Sequence, residues 1–196
     1  SYLQRTASRL SFKRGDARAV ENGIILWDEV NEYPVVSKNG EWRQIVLEDG
    51  QYSGGITADV TAAAINTAYP LTYTAGISEG VTNGTPASRL VFEEAGQYMI
   101  SFSAQISSTS SSTVNFWFWP RVNGVDVTGS TMMNALHQNG SVLVVSRSAI
   151  FEFAAGDYLE PMWAVDSTSG FLSASAATAF APAAPATTIA ITRLHG

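Results

Sequence analysis

The chain has 196 residues, 45% hydrophobic and 14% charged, with a formal net charge of −6 and no cysteine. Such a chain can bury a sizeable core, and its composition excludes whole-chain disorder, a disulfide framework, a thiolate metal site and a cysteine nucleophile. The charge is unevenly held: residues 1–18 carry five cations against Asp16 alone, a local +4, and the remainder carries −10.

Residues 1–20 read as a basic N-terminal arm on an acidic body. They hold no apolar central run, so no secretory signal is expected, and the opening SYLQRT is expected to follow loss of an initiator Met. Residues 21–54, around IILWDEVNEYPVVSKNGEWRQIVLEDG (24–50), read as a small β-hairpin unit. From 55 to 196 many short alternating segments predict a sandwich or barrel without βαβ units. DVTAAAIN (59–66) is the one candidate for a short helix.

QYMISFSAQIS (97–107) alternates as a half-buried strand, with Tyr98, Ile100, Phe102, Ala104 and Ile106 inward. STSSST (108–113) is a polar loop tip. In NFWFWPRVNG (115–124), Phe116 and Phe118 join Val114 and Val122 on one face, while Trp117 and Trp119 join Asn115 and Arg121 on the other. Pro120 cannot donate to a ladder, so a bulge or an edge is expected there. LVVSRSAIFEF (143–153) turns Leu143, Val145, Ala149, Phe151 and Phe153 inward, with Arg147 on the same face where the strand is expected to emerge. LEPMWAV (159–165) aligns Leu159, Trp163 and Val165, and TTIAITRL (187–194) closes the domain with Ile189 and Ile191. The stretch 173–190 is twice broken by proline and predicts a crossing connection, not a membrane span. Asn-Gly at 22–23, 39–40, 83–84, 123–124 and 139–140, with Asp-Gly at 49–50, predicts hairpin turns, since these residues tolerate positive φ.

Catalytic and metal chemistry finds little support. GISEG (76–80) matches the nucleophile-elbow pattern around Ser78, but the motif needs a helix after it and GVTNGTP follows. The only histidines, His137 and His195, lie far apart without acidic residues at ligand spacing, so neither a Ser78–His137 hydrolase nor a zinc site is expected. Adjacent Glu93 and Glu94 face opposite ways and cannot share a proton. Asp28, Glu29 and Glu32 match no calcium-loop spacing, and Asp126, Asp157 and Asp166 are expected to serve turns. Asn83-Gly84-Thr85 and Asn139-Gly140-Ser141 fit the glycosylation pattern, which matters only in a secretory pathway. No phosphate loop or nucleotide fingerprint is present, and an acidic body offers no groove for nucleic acid.

AGQYMISFSAQIS, RVNGVDVTGS and AAGDYLEPMWAV carry Gly96, Tyr98 and Phe102, then Asn123 and Gly124, then Gly156, Asp157 and Leu159. At these positions the region 85–194 resembles the tumour-necrosis-factor and complement globular-head jelly rolls. Its closing tract, Pro182–Pro185 and Thr187–Leu194, departs from that family and is similar to bacteriophage versions of the fold, and LWDEVNEYPVVSKNGEWRQI (26–45) is similar to stretches of phage tail-fibre and virion surface proteins. The resemblance implies an all-β antiparallel jelly roll in a homotrimeric virion structural protein, without enzyme activity, cofactor or metal. It further implies a capsid decoration or cement role, with a tail- or head-fibre knob as the alternative. Trp117, Trp119, Asn115 and Arg121 would then meet sister chains, unless a loop or the N-terminal hairpin covers the indoles within one subunit. Tyr2, Leu3, Arg5, Arg9, Leu10, Phe12, Lys13, Arg14 and Arg18 would hold a major capsid protein or another virion protein. The knob alternative takes a host surface glycan on loops 108–113 and 166–173, with Trp163 or Tyr158 as aromatic platform.

Overall fold

Alternation of apolar and polar residues produces strands and no helix among the described residues. The computed structural model describes residues 11–12, 25–28, 33–38, 41–44 and 50–195, and the chain divides into two compact units, Ser1–Leu47 and Glu48–Gly196. In the first unit, β1 (Ser11–Phe12), β2 (Ile25–Asp28), β3 (Tyr33–Lys38) and β4 (Glu41–Gln44) form one sheet in that order. β1 runs parallel to β2, and the other pairs are antiparallel. Part of the expected arm therefore belongs to the hairpin sheet. Of the expected attachment residues only Phe12 falls within the described backbone; Tyr2, Leu3, Arg5, Arg9, Leu10, Lys13, Arg14 and Arg18 lie outside it.

The second unit opens with β5 (Gln51–Ile56), β6 (Val60–Thr61), β7 (Tyr69–Pro70), β8 (Thr74–Glu79), β9 (Val81–Asn83), β10 (Leu90–Phe92) and β11 (Gly96–Ser108). It continues with β12 (Val114–Val122), β13 (Val125–Asp126), β14 (Met132–Leu136), β15 (Val142–Phe153), β16 (Tyr158–Val165), β17 (Gly170–Leu172) and β18 (Thr187–His195). One sheet has the order β6-β17-β11-β18-β5-β8, with β15 on the other edge of β11. The second has the order β13-β12-β16-β10-β9, with β14 also on β12 and β7 also on β16. All pairs are antiparallel and the chain crosses repeatedly between the sheets, giving the two-sheet jelly-roll sandwich. Since β5 pairs with β18 from Gln51 onward, the sandwich begins before residue 55, and the expected boundary at 54 cuts through a strand.

The inward faces interlock as the alternation requires. Phe92 stacks on Phe153 with ring centroids 3.7 Å apart, Tyr98 meets Phe92 edge-on at 4.7 Å, and Phe102 approaches Phe118 at 5.3 Å. Trp163 is wholly buried among them. Arg147, on the inward side of the edge strand β15, donates to the Ser130 carbonyl at 2.6 Å, so it bridges toward the loop before β14 and keeps its charge at the rim.

Among the Asn-Gly pairs that lie within the described residues, turn chemistry holds at 123–124 and departs at 83–84 and 139–140. Asn123 (φ 49°) and Gly124 (φ 80°) both adopt positive φ between Val122 and Val125, which face each other across the hairpin. Asn123 Nδ2 donates to Asp157 Oδ1 at 2.7 Å, and Asn123 Oδ1 accepts from Tyr158 N at 3.0 Å. The Asn-Gly and Gly-Asp motifs of the resemblance thus lock together. Asn83-Gly84, by contrast, begins a longer loop in which Gly84 N bonds Arg89 O, and Asn139-Gly140 lies on a connection between the two sheets, with Gly140 N on Ser108 O. Neither is a two-residue hairpin. DVTAAAIN also departs: it holds β6 and then a turn with Asn66 at φ 53°, because Thr61 and Val60 pair with β17.

Pro120 faces Pro161 across β12 and β16. Their carbonyls point away from each other, accepting from Val127 N and Leu71 N, and each proline sits where its strand changes edge partners. No ladder hydrogen bond is lost.

Candidate functional site

The outward side of β12 carries Asn115, Trp117, Trp119 and Arg121, as its alternation requires, and each sits in a defined environment. Asn115 donates through N and Nδ2 to the two oxygens of Asp166, at 2.9 and 2.6 Å. The Asn123-Gly124 turn folds β13 back so that Asp126 lies opposite Arg121. Asp126 Oδ1 then accepts from Arg121 Nε at 2.7 Å and from Trp119 Nε1 at 2.8 Å. The Arg121 bond first, and the Trp119 bond second, hold the Asp126 carboxyl below its ordinary value, and the same hydrogen bond raises Arg121. Trp117 has Met133 beside it on β14 and Ala164 on β16. Residues 126–129, Thr131, Asn66 and Ala68 wall a groove of about 470 Å³ floored by the two indoles. Both rings are half-buried, so much of the cover sought for them comes from their own chain.

The other sheet presents a different surface. Across β8, β5, β18, β11 and β15, the outward positions of the middle rows are Ser, Thr, Ala, Gly and Ile, and charge enters only toward one end with Glu79 and Glu152. Ser101 Oγ pairs with Ser148 Oγ at 2.9 Å and Ser103 Oγ with Thr188 Oγ1 at 2.8 Å, so these hydroxyls bond one another across strands. Apolar side chains stand among them: Met99 is opposite Ile150, which is 60% exposed, and Val144 is 61% exposed. Single strands disclose only a polar face here; its lack of charge emerges from placing five strands side by side.

The residues weighed for catalytic or metal chemistry lie apart, in keeping with the expectation of neither a hydrolase nor a zinc site. Ser78 lies within β8, donating to Val81 O at 2.8 Å, and a strand follows it where an elbow needs a helix. His137 bonds Thr113 Oγ1 at 2.9 Å on another element, and the His195 side chain lies outside the described residues. Glu94 pairs with Arg193 at 2.6 Å, apart from Glu93. Asp157 serves a turn as expected, accepting from Ala154 N, whereas Asp166 and Asp126 accept from residues of β12. Among the described residues no three His, Asp or Glu side chains gather as metal ligands. Of the two glycan platforms, Trp163 is excluded because it is wholly buried in the core. Tyr158 has one face covered by the Arg89 guanidinium, 4.2 Å from the ring centroid. Arg89 Nε also stands 3.7 Å from Glu160, a nearly buried carboxylate that accepts from Ser88 Oγ at 3.0 Å. Loops 108–113 and 166–173 do come together, with Thr109 N on Ser169 O at 3.0 Å.

No protein-family model matches the sequence, and no curated protein matches it. Among solved structures, crystal structures of murine APRIL at pH 5.0, 8.5 and 8.0 are similar in fold, with TM-scores of 0.47, 0.48 and 0.48 at 8%, 8% and 9% identity. Each alignment covers 75% of this chain and 100% of the other. APRIL is a jelly roll of the tumour-necrosis-factor family, and the likeness concerns architecture alone.

Proposed function

We propose that this chain is a virion structural protein of a bacteriophage, a homotrimeric jelly roll that decorates or cements a capsid and grips a capsid protein through its N-terminal region. The observation that carries the self-association is the outward face of the β8-β5-β18-β11-β15 sheet, whose middle rows hold no charge. A surface that meets copies of itself must bring no like charges together, and here the middle rows are uncharged while Ser101–Ser148 and Ser103–Thr188 already share one hydrogen bond per pair, which lowers the polar cost of covering them. Five strands about 4.8 Å apart and some six residues at about 3.4 Å give a plane of roughly 500 Å², within reach of the ~800 Å² each partner contributes to a standard interface once rims are added. The tryptophan side of β12, partly covered by its own chain and holding Asp126 and Arg121, suits that role less well. The basic arm supports the attachment: its +4 charge would pair with acidic shell residues.

Light scattering tests the assembly. The wild type is expected at three times the 20.9 kDa of one chain. Ser103→Lys places three like charges in the dry face and should return single chains, while a lone chain for the wild type at micromolar concentration refutes the self-association. Deleting residues 1–20 should abolish binding to capsid shells and leave the trimer intact; unchanged binding removes the arm from the mechanism.

A further inference from the structure

We propose that the groove over Trp117 and Trp119 is a binding site for an uncharged oligosaccharide. A sugar ring has an apolar C–H face and a rim of hydroxyls, so it calls for a flat aromatic floor with donors and acceptors around it. The two indoles stand two residues apart on one face of β12, roughly 7 Å along the strand, which lets neighbouring sugar units lie one on each. Trp119 is fixed by its 2.8 Å bond to Asp126, so its ring is set before any ligand arrives.

Unused hydrogen-bonding capacity converges on this floor. The Trp117 indole N–H has no protein partner and stays open to solvent. Both bonds to Asp126 end on Oδ1, which leaves Oδ2 to accept sugar hydroxyls. The exposed side chains of Asn66, Thr128 and Thr131 line the walls, and none of them bonds to the protein. The groove's ionised group is Asp126, whose charge is answered by Arg121 at 2.7 Å. With no free cation among the lining residues, the site suits a neutral glycan and discriminates against carboxylated or sulfated ones. The groove lies on the sheet opposite the proposed self-association face, so the two roles do not compete and the site stands whether or not the virion reading does.

The test is a glycan array of neutral and acidic oligosaccharides probed with the full-length protein, followed by calorimetric titration of the strongest neutral glycan. Saturable binding is expected for the wild type. Trp117→Ala and Trp119→Ala should each weaken it by about tenfold, the scale of one lost aromatic contact. Asp126→Asn retains an oxygen for Trp119 and Arg121 but replaces the free acceptor with an N–H₂, so it should weaken binding with an unchanged circular dichroism spectrum; this variant guards against misfolding of the tryptophan mutants. The proposal is overturned if only acidic glycans bind or none does, or if the tryptophan variants bind as the wild type does. A change in oligomer mass as the main effect of those variants also overturns it, since the groove would then be a contact between copies.

Discussion

Gly170 tests the packing of the sandwich more severely than any large core residue does. It is buried at the start of β17, and a Cβ built on it would lie 2.7 Å from Val114 Cγ1, 2.7 Å from Val165 Cγ2 and 2.8 Å from Phe116 Cζ. All three distances are shorter than real Cβ atoms tolerate, and none of the neighbours can easily yield. The valines are β-branched and stiff about χ1, and Phe116 is wholly enclosed. Overpacking a filled core costs about 1–3 kcal/mol, and three simultaneous clashes place Gly170→Ala in the upper half of that range, about 2–3 kcal/mol. For a domain of this size each kcal/mol moves the melting temperature by about 2–4 °C, so the variant should melt roughly 4–12 °C lower. Gly55 is the control: its added Cβ meets only Pro185 Cβ and Thr187 O at 3.7 Å, ordinary contact distances. Gly55→Ala should be neutral or gain a few tenths of a kcal/mol, up to about 1, from lost freedom in the unfolded chain. Calorimetric melting of both variants decides. If Gly170→Ala melts within a degree of wild type, β17 can shift away from β12 at no cost and the close packing described here is wrong.

Two further outcomes follow from the polar groups. Tyr73 is buried and its hydroxyl meets Thr187 Oγ1 at 3.1 Å, while Thr187 donates to Ser103 O at 2.8 Å. Tyr73 is therefore the donor to Thr187, and Tyr73→Phe should cost about 1 kcal/mol at neutral pH because Thr187 keeps its own donor bond. Burial raises the Tyr73 phenol far above its ordinary 10.0. At this residue only the unfolded chain then ionises above that pH, so the wild type carries a loss of stability with rising pH that the phenylalanine variant lacks. Its deficit should narrow between pH 8 and 11 in urea titrations, and a constant gap refutes the assignment. Asp126 behaves with the opposite sign: its carboxyl lies below the ordinary 3.8, so the Arg121 and Trp119 bonds are complete above that pH and fail as pH falls through the lowered value. The Trp119 indole N–H resonance should titrate with a midpoint below pH 3.8; a midpoint above it breaks the link between the two groups.

What the sequence disclosed and what it withheld divide along a physical line. Alternation states which residues share a face of one strand, and for β11, β12 and β16 the inward sets Tyr98–Ile106, Phe116–Phe118 and Leu159–Val165 are buried as read, with Phe102 alone partly exposed. Alternation does not state which strands are neighbours. The strand ending in Asn123-Gly124 sits in the sheet opposite the face with uncharged middle rows, and that face could be recognised only once Ser101, Ser148, Ser103 and Thr188 had been brought side by side. Turn dipeptides carry a similar limit. Asn-Gly reports tolerance of positive φ, and at 123–124 both residues use it in a hairpin. At 139–140 only Gly140 does, because the chain there is leaving one sheet for the other.

The same line explains the tryptophans. Two large rings on an outward face signal that something meets them, but nothing local to residues 115–124 tells a loop of the same chain from a sister chain or a ligand. The answer depended on Asp126, five residues past Arg121, and on Asn66, far earlier in the chain. Neither belongs to a periodic pattern. Residues that finish a site from loops are chosen by where the scaffold delivers them, so they become visible only when the sandwich fixes β12, β13 and the segment before β7 in one place. The half-burial that results leaves indole surface open for recognition, and the bond to Asp126 holds the Trp119 ring in place, which is what a preformed binding groove requires.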